Sequence, residues 1–390
     1  MQTKESLLNK LEKSSSHHKV ISITPGLLIC LFLTLLGIYL ADLMGVLLIR
    51  MNLLPDGSGS PVSGIFVAIL AGIAIRNLVG LHQVFMKGVL FSLKYALRGG
   101  IILLGLRLSL AEALKLGAWG LPLIVTCIAC GLFITLFFTR KMNQSARLGT
   151  LIAGGTGICG VTAIMAISPV VKAKDNEISY AVANITIFGL IGMLFYPYLA
   201  HVFFSDNPIK AGLFLGTAIH DTAQVTGAAL IYSQMYDIER VVDVATVTKL
   251  TRNLFIIAVI PFVSYLFYKG TSSKKDENAI PKWYKLVPLF VLGFLLLSFI
   301  RTIGDMTLNE TGMAFGFLNL STWEAFYNSW STFGSKYMLG LAMAGVGLST
   351  DLKMFKGLGM RPFYIGLIAA VSVGIVSLIL VSLFGHLISV

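Results

Sequence analysis

The sequence predicts an all-α polytopic membrane protein with about eleven transmembrane helices, an inverted repeat and at least one broken helix. Composition, the spacing of apolar runs and internal similarity support this fold class. Of 390 residues, 56% are hydrophobic and 12% are charged, whereas a soluble domain carries about 25% charged residues. The apolar residues therefore serve many separate membrane crossings rather than one soluble core.

The hydrophobic residues fall into eleven runs separated by polar segments. Crossing ~30 Å of hydrocarbon takes roughly 20 helical residues. We expect residues 1–25 to form a cytoplasmic tail and residues 26–390 a single transmembrane domain. The predicted spans are 26–49, 62–80, 88–110, 118–139, 149–171, 178–202, 210–232, 244–268, 286–303, 332–349 and 363–388.

The distribution of Lys and Arg predicts the orientation. With the N-terminus inside and every run crossing, the inside segments hold eighteen Lys and Arg residues and the outside segments seven. Cytoplasmic loops are enriched in these residues. The connecting segments 269–285 and 304–331 are the longest, and the second contains three acids and no base. We expect a bacterial cytoplasmic (inner) membrane protein with its N-terminus inside and its C-terminus outside.

Two segments resemble each other. Residues 94–117 and 336–359 both begin with Lys-Tyr, place Gly-Leu eleven residues later and end in glycine, at Gly117 and Gly359. The copies begin the third and the tenth span, seven spans apart, so they cross in opposite directions, as in inverted-repeat transporter folds. Chance similarity between two apolar helices is the alternative.

Segment 153–162, AGGTGICGVT, predicts a broken helix. Each glycine costs a helix ~1 kcal/mol relative to alanine. A break within a membrane is tolerated beside protein or a water-filled cavity. Its backbone N–H groups would then face an anion. The binding residues would be Gly154, Gly155, Thr156 and Gly157. Close packing through small residues is the alternative.

Segment 216–226, GTAIHDTAQVT, places polar groups inside a span. In a continuous helix, Thr217, Asp221 and Gln224 share one face, and Thr217 and Gln224 would contact the substrate. A buried Asp indicates a functional site. Asp221 could carry a coupling proton or sodium ion, or pair with a nearby cation. His220 could carry a proton or act as a hydrogen-bonding scaffold.

Segment 246–253, TVTKLTRN, places Lys249, Arg252 and Asn253 on one helical face. A cation at the bilayer centre costs at least ~2.5–3.5 kcal/mol. The forked guanidinium group suits oxyanions such as sulfate, sulfonate or carboxylate. These residues are therefore predicted to bind substrate. Snorkelling towards the interface is the alternative.

The remaining composition argues against other classes. A net charge of +12 would suggest nucleic acid in a soluble protein, but here the expected partner is the lipid bilayer, with no nucleic acid. The four cysteines lie in apolar runs and are interpreted as packing residues. No Walker A, HExxH or GxSxG motif is present. We expect no cofactor, no metal and no enzymatic activity.

Together, GGTGICGVTAI, GTAIHDTAQVTGAA and VTKLTRNLF resemble the YeiH-type bacterial inner-membrane proteins, a family named as sulfate exporters. The similarity covers roughly residues 26–388. The resemblance implies a secondary transporter of ten or eleven helices, related to carriers with two crossed broken helices and a mobile core. It places the same three segments, including His220 and Asp221, at the site.

The leading hypothesis is a secondary exporter of a small oxyanion, sulfate, sulfite or a sulfonate, working by alternating access. A proton- or sodium-coupled carrier of an organic anion or neutral solute is the alternative, together with a passive anion channel. The first span lies outside the repeat and could form a homo-oligomeric interface.

Overall fold

The computed structural model describes residues 2–51, 60–269, 286–352 and 360–388, with side chains from residue 22 onward. Within these ranges the regular secondary structure is helical and no β-strand forms. The all-α class is therefore confirmed. The chain divides into two compact units, Met1–Gly100 with Phe333–Leu352, and Ile101–Thr332 with Lys353–Val390.

The first unit is built from helices that approach one another through glycines. Small residues let helix backbones come close inside a membrane. The facing pairs are Gly37 with Gly64, Gly26 with Gly88, and Gly72 with Gly347. Its helices are α1 (Gln2–Arg50), α2 (Gly64–Ala74), α3 (Gln83–Phe91), the first half of α4 (Leu97–Leu104) and, after the second unit's main segment, α15 (Leu339–Ser349).

The second unit contains the three polar motifs. Its helices are α5 (Leu110–Lys141), α6 (Ala146–Gly157), α7 (Val161–Ile167), α8 (Asp175–Phe204), α9 (Pro208–Ala218), α10 (Thr222–Tyr236), α11 (Arg240–Leu254), α12 (Ile256–Lys269), α13 (Leu289–Thr311), α14 (Leu320–Thr332) and α16 (Met360–Phe384).

Six described helical segments are long and apolar enough to cross a membrane, and a seventh forms if α11 and α12 count as one bent span. Those two helices meet at an angle of 45°. The shorter apolar segment Gly64–Val79 is also present. The six are Ser22–Arg50, Gln83–Arg107, Leu110–Lys141, Asp175–Phe204, Leu289–Thr311 and Met360–Leu387.

Helices α6 and α7 form a hairpin that enters and leaves at the same end of the second unit. The Ser145 hydroxyl, just before α6, donates to the Glu177 carboxylate at the start of α8, at 2.5 Å. Along the hairpin, the Ile167 side chain lies over Gly154 and that of Ile164 over Gly155. Helix α7 therefore runs back along α6. We call this pair hairpin 1, and its open end the Glu177 end.

Helices α9 and α10 form a second hairpin, which enters from the opposite end. Along α9 the chain returns beside α8, since the rings of Phe204 and Phe214 are 6.0 Å apart and Ile219 faces Gly192. Helix α9 thus reaches the middle of α8 and stops there. We call this pair hairpin 2.

Helix α10 then runs back to where α9 began. Near its start, the Gln224 amide donates to the Thr186 carbonyl at 3.1 Å. Near its end, the rings of Tyr236 and His201 stack at 3.6 Å. Helix α11 starts at this same end, where Arg240 reaches Glu112 at 3.5 Å, and we call it the Glu112 end.

The predicted spans 149–171 and 210–232 are therefore wrong as single crossings. Each is a pair of short helices that turns back. At 1.5 Å per residue, the 11 residues of α9 or the 12 of α6 cover less than ~20 Å, too little for ~30 Å of hydrocarbon. Hydropathy does not separate a crossing from an apolar hairpin, because both bury the same residue types.

Connecting segments differ from the prediction in one place. The sequence predicts a connecting segment at 304–331, but α13 continues to Thr311 and α14 begins at Leu320. Asp305 fixes the two helices, since it accepts from Arg301 at 2.6 Å and from the Trp323 indole at 2.8 Å. Residues 270–285 of the other long segment lie outside the described residues.

The two repeat copies share local structure. Lys94-Tyr95 lies in a π-helical turn, Ser92–Ala96, that leads into α4, and Lys336-Tyr337 lies in another, Phe333–Met338, that leads into α15. Each helix ends near its Gly-Leu pair. Residues 353–359 of the second copy lie outside the described residues, and the inverted orientation stays a prediction.

Candidate functional site

The tips of the two hairpins meet in the middle of the second unit. Hairpin 1 turns at residues 158–160, and hairpin 2 turns at residues 219–221. Gly160 adopts a φ of +68°, a conformation that L-residues rarely adopt. The turn of hairpin 2, Ile219-His220-Asp221, contains neither glycine nor proline.

Arg252 joins the two tips. Its guanidinium donates to Thr156 O at 2.7 Å and Gly157 O at 3.0 Å in hairpin 1. It also donates to Thr217 O at 2.6 Å and Ile219 O at 3.4 Å in hairpin 2. The side chain is fully buried. A single planar donor group thus fixes the ends of α6 and α9 to each other.

Lys249 makes a second connection one helical turn earlier on α11. Its ammonium donates to the carbonyls of Ile158 and Ile219, both at 3.1 Å, and to that of His220. The last carbonyls of a helix have no intrahelical partner and carry partial negative charge. Both buried cations therefore neutralise the C-terminal ends of α6 and α9. The alternative of snorkelling does not apply to these buried side chains.

Asp221 lies at the start of α10, whereas Lys249 and Arg252 bind the ends of α6 and α9. Its Oδ1 accepts the Ala223 N–H at 2.9 Å and caps α10, and its Oδ2 lies against Gly160, just before α7. Among the described residues, it forms no direct ion pair with Lys249 or Arg252, whose donors go to carbonyls. The tips thus hold two cations and one acid.

The glycines of the GGTG motif have packing roles. Gly155 lies under Ile164 and Ile185, and Gly157 lies against Leu132. The backbone N–H groups of residues 154–157 point along α6 and are used within that helix. The prediction that these N–H groups hold an anion is therefore wrong. The motif presents its carbonyls to Arg252, and the N–H groups without an intrahelical partner are those at the start of α7.

The predicted shared face of Thr217, Asp221 and Gln224 is wrong, because the helix ends at Ala218. Thr217 lies in α9, where its hydroxyl is 2.7 Å from that of Ser377. Gln224 lies in α10 and contacts α8. The predicted face on α11 is confirmed, since α11 is continuous and the Asn253 amide donates to Thr222 Oγ1 at 3.1 Å.

Four buried polar atoms near the tips have no hydrogen-bond partner among the described residues. His220 is 2% exposed and Asn253 3%, so these atoms cannot all be satisfied by bulk water. Buried polar atoms are normally paired, and unpaired ones indicate where a ligand or water can bind. They are Thr156 Oγ1, His220 Nδ1, Gln224 Oε1 and Asn253 Oδ1.

Two residues of the site, Gly160 and Ser377, were not predicted from the sequence. Gly160 allows the turn of hairpin 1 and adjoins the Asp221 carboxylate; a further glycine three residues after GGTG was the available signal. Ser377 lies in the apolar helix α16 and has no local signal, because only tertiary contact brings it to Thr217.

The fold and the site define a multi-pass helical membrane protein in which two hairpins meet at buried charged residues. A family model described as Conserved hypothetical protein 698 matches residues 25–366. The chain belongs to this family, the UPF0324 membrane proteins, which is also that of the YeiH-type proteins. The resemblance carried by the three motifs is thereby confirmed.

Curated relatives span nearly the whole chain. A UPF0324 membrane protein of Fusobacterium nucleatum is 32% identical over 328 residues, which cover 84% of this chain and 91% of the relative. One from Streptococcus agalactiae is 30% identical over 366 residues, covering 93% and 97%. One from Bacillus anthracis is 32% identical over 322 residues, covering 82% and 87%.

Proposed function

We propose that this chain is a secondary transporter of a small oxyanion, sulfate, sulfite or a sulfonate, and that it works as an exporter. The observation that supports this most is the meeting of two opposed hairpins at Lys249 and Arg252. Each hairpin reaches about half-way from its own end. A site between such tips can open to either side by a small movement, which is what alternating access requires.

The charge of the tips favours an anion. Ionisable groups inside a membrane are costly and are kept where function needs them. With Lys249, Arg252 and Asp221 all charged, the tips carry a net charge of one positive unit. Both cations donate to backbone carbonyls and not directly to the anion. Direct contacts to the anion come from the start of α10, where the Thr222 hydroxyl and the Asn253 amide lie 3.1 Å apart.

The hairpins also change the proposed topology. With two runs turning back, the chain crosses nine times instead of eleven, still with its N-terminus inside and its C-terminus outside. Lys172 and Lys174 then move inside and Lys210 moves outside. The balance of Lys and Arg becomes nineteen inside against six outside, which fits the positive-inside rule better than the earlier count. The Glu177 end would face the cytoplasm of a bacterial cell.

A proton- or sodium-coupled carrier of an organic anion or neutral solute is the second candidate. The unpaired atoms His220 Nδ1, Gln224 Oε1 and Asn253 Oδ1 favour it. The two amide oxygens are acceptors, so a solute with donor groups or a cation would satisfy them better than a bare oxyanion.

Counterflow tests the proposal. The full chain is reconstituted in liposomes preloaded with unlabelled sulfate, and uptake of labelled sulfate is competed in turn by sulfite, taurine and chloride. We expect transient accumulation that a competitor suppresses, and its loss in Thr222→Val with Asn253→Leu. Ser205→Ala, at an exposed position of the Glu112 end, is the control and should behave as wild type.

Three other outcomes would contradict the proposal. Downhill flux without accumulation or saturation would indicate a channel. Uptake of an organic carboxylate or a neutral solute, driven by a proton or sodium gradient and without transport of sulfate, sulfite or taurine, would favour the second candidate. Inserted, folded protein that moves none of the four solutes would remove the small-anion carrier altogether.

A further inference from the structure

The Asp221 carboxylate lies where an anion at the start of α10 would lie. Its Oδ1 accepts the Ala223 N–H at 2.9 Å. The other oxygen lies so close to Gly160 that a methyl group there would collide with it. Helix N-termini bind anions through such free N–H groups and through the helix dipole. α10 has 15 residues, so its dipole is well developed.

Two independent features indicate more than an ordinary helix cap. Asn253 is 97% buried and its amide reaches the first residue of α10, Thr222, while its Oδ1 has no partner among the described residues. Asp221 and Thr222 are themselves partly exposed. The start of α10 is thus an accessible place with spare hydrogen-bonding capacity at mid-depth of the unit.

The charged and titratable groups around Asp221 leave its carboxylate held by N–H donors. Lys249 and Arg252 from α11 spend their donors on carbonyls. His220 precedes it in the chain, and Cys159 in the turn of hairpin 1 is a further titratable neighbour. Within the part of the chain that the structure describes, no cation pairs directly with the carboxylate, so the carboxylate can leave the N–H groups without breaking such a pair.

We propose that Asp221 is a tethered anion that competes with the transported anion for the start of α10. This rests on the proposed function, that the chain carries a small oxyanion. When the carboxylate takes up one proton from water, it becomes a neutral acid and releases the N–H groups. The transported anion then accepts hydrogen bonds from those groups, from the Thr222 hydroxyl and from the side-chain N–H groups of Asn253, not from its Oδ1.

The exchange fixes a stoichiometry. Each anion that binds is accompanied by one proton on Asp221, and both leave when the carboxylate returns to α10. One proton and one anion therefore move in the same direction. Because protons favour anion binding, the apparent affinity should fall as pH rises, by about tenfold per pH unit above the titration of the carboxyl group.

Asp221→Asn separates capping from competition. Asparagine caps a helix about as well as aspartate, so the fold should be kept, but the neutral amide cannot titrate or act as a competing anion. We expect the variant to bind anions more tightly than wild type at high pH, with an affinity that does not depend on pH. Asp206→Asn, at an exposed acid of the Glu112 end, is the matched control.

The test is equilibrium binding of radiolabelled sulfate, and in parallel chloride and taurine, to the purified full chain from about pH 5 to about pH 8. Thermal unfolding verifies that each variant is folded. A pH-indicating dye measures proton uptake on sulfate addition in weakly buffered solution. Wild type and Asp206→Asn should take up one proton per sulfate bound, and Asp221→Asn none.

The outcomes distinguish this inference from the proposed function. If Asp221→Asn binds sulfate with the affinity, pH dependence and proton uptake of wild type, the tethered anion is refuted while anion transport stands. If neither protein binds any of the three solutes, the small-anion site itself is refuted, and the inference falls with it.

Discussion

Arg252 and Asp221 neutralise opposite ends of the helices at the hairpin tips. Arg252 binds carbonyls at the ends of α6 and α9, and Asp221 accepts an N–H group at the start of α10. Four helix ends inside a membrane leave many backbone groups to be satisfied, since lipid offers no hydrogen bonds. These charges are therefore part of the fold as well as candidates for function.

Arg252→Ala should unfold the tips rather than merely stop transport. It leaves the carbonyls of Thr156, Gly157 and Thr217 unpaired, and hydrogen bonds to a charged group contribute about 1.5–3 kcal/mol each. We expect a loss of at least ~3 kcal/mol of stability, measured as a lower unfolding temperature in detergent. Arg252→Lys should lie between. Lys141→Ala, which removes an exposed cation, should stay within about 0.5 kcal/mol.

An Arg252→Ala protein with the wild-type unfolding temperature and no transport would contradict this scaffolding role. That result would instead support the prediction from sequence that Arg252 binds the substrate directly. The sequence predicts the face of Lys249, Arg252 and Asn253 because α11 is continuous there. It cannot predict which carbonyls satisfy them, because those come from two other segments.

Among the helices, contacts at two places hold each hairpin. One set lies at the end where the chain enters and leaves, and the other lies at the tip. Hairpin 1 is closed by Glu177, which accepts from Ser145 Oγ and from the Lys174 N–H at 2.9 Å. Helix α11 is fixed at the Glu112 end, where the carboxylate of Asp243 lies 2.9 Å from Arg107. Both contacts hold short helices that could not stay in place by length alone.

Glu177→Ala should loosen hairpin 1 alone. Losing a helix cap together with the contact to Ser145 should cost about 1–2 kcal/mol. We expect faster amide hydrogen exchange in α6 and α7, with α9 and α10 unchanged. Asp175→Ala, an exposed acid in the same first turn, should cost only about 0.3–1 kcal/mol and leave that pattern intact. Equal exchange in wild type and Glu177→Ala would contradict the closing role.

The elements were partly predictable from sequence. The glycine-rich break at 153–162 and the apolar runs are local properties, so composition and spacing locate them. The turn of hairpin 2 was hidden because Ile219, His220 and Asp221 carry no turn signal, and its helices are as apolar as a crossing span. The positions of Lys172, Lys174 and Lys210 were the one indication of both hairpins, because the balance of Lys and Arg improves when the two runs turn back.

In the proposed topology, the whole chain crosses the membrane nine times and has two hairpins that enter from opposite faces. The repeat copies at 94–117 and 336–359 still cross in opposite directions under this topology. The family assignment is independent of it, because the relatives match along most of their length whatever the crossings are.

Side-specific labelling of single cysteines distinguishes hairpins from helices that cross the membrane. Single cysteines replace Lys141, Lys174, Ser205 and Asp237, all exposed, in a chain whose native cysteines are replaced by alanine. A membrane-impermeant maleimide is then applied to intact cells and to inverted vesicles. We predict that positions 141 and 174 label together from the cytoplasmic face, and 205 and 237 together from the outside. Labelling of 141 and 174 from opposite faces would show that hairpin 1 crosses the membrane and would contradict the account.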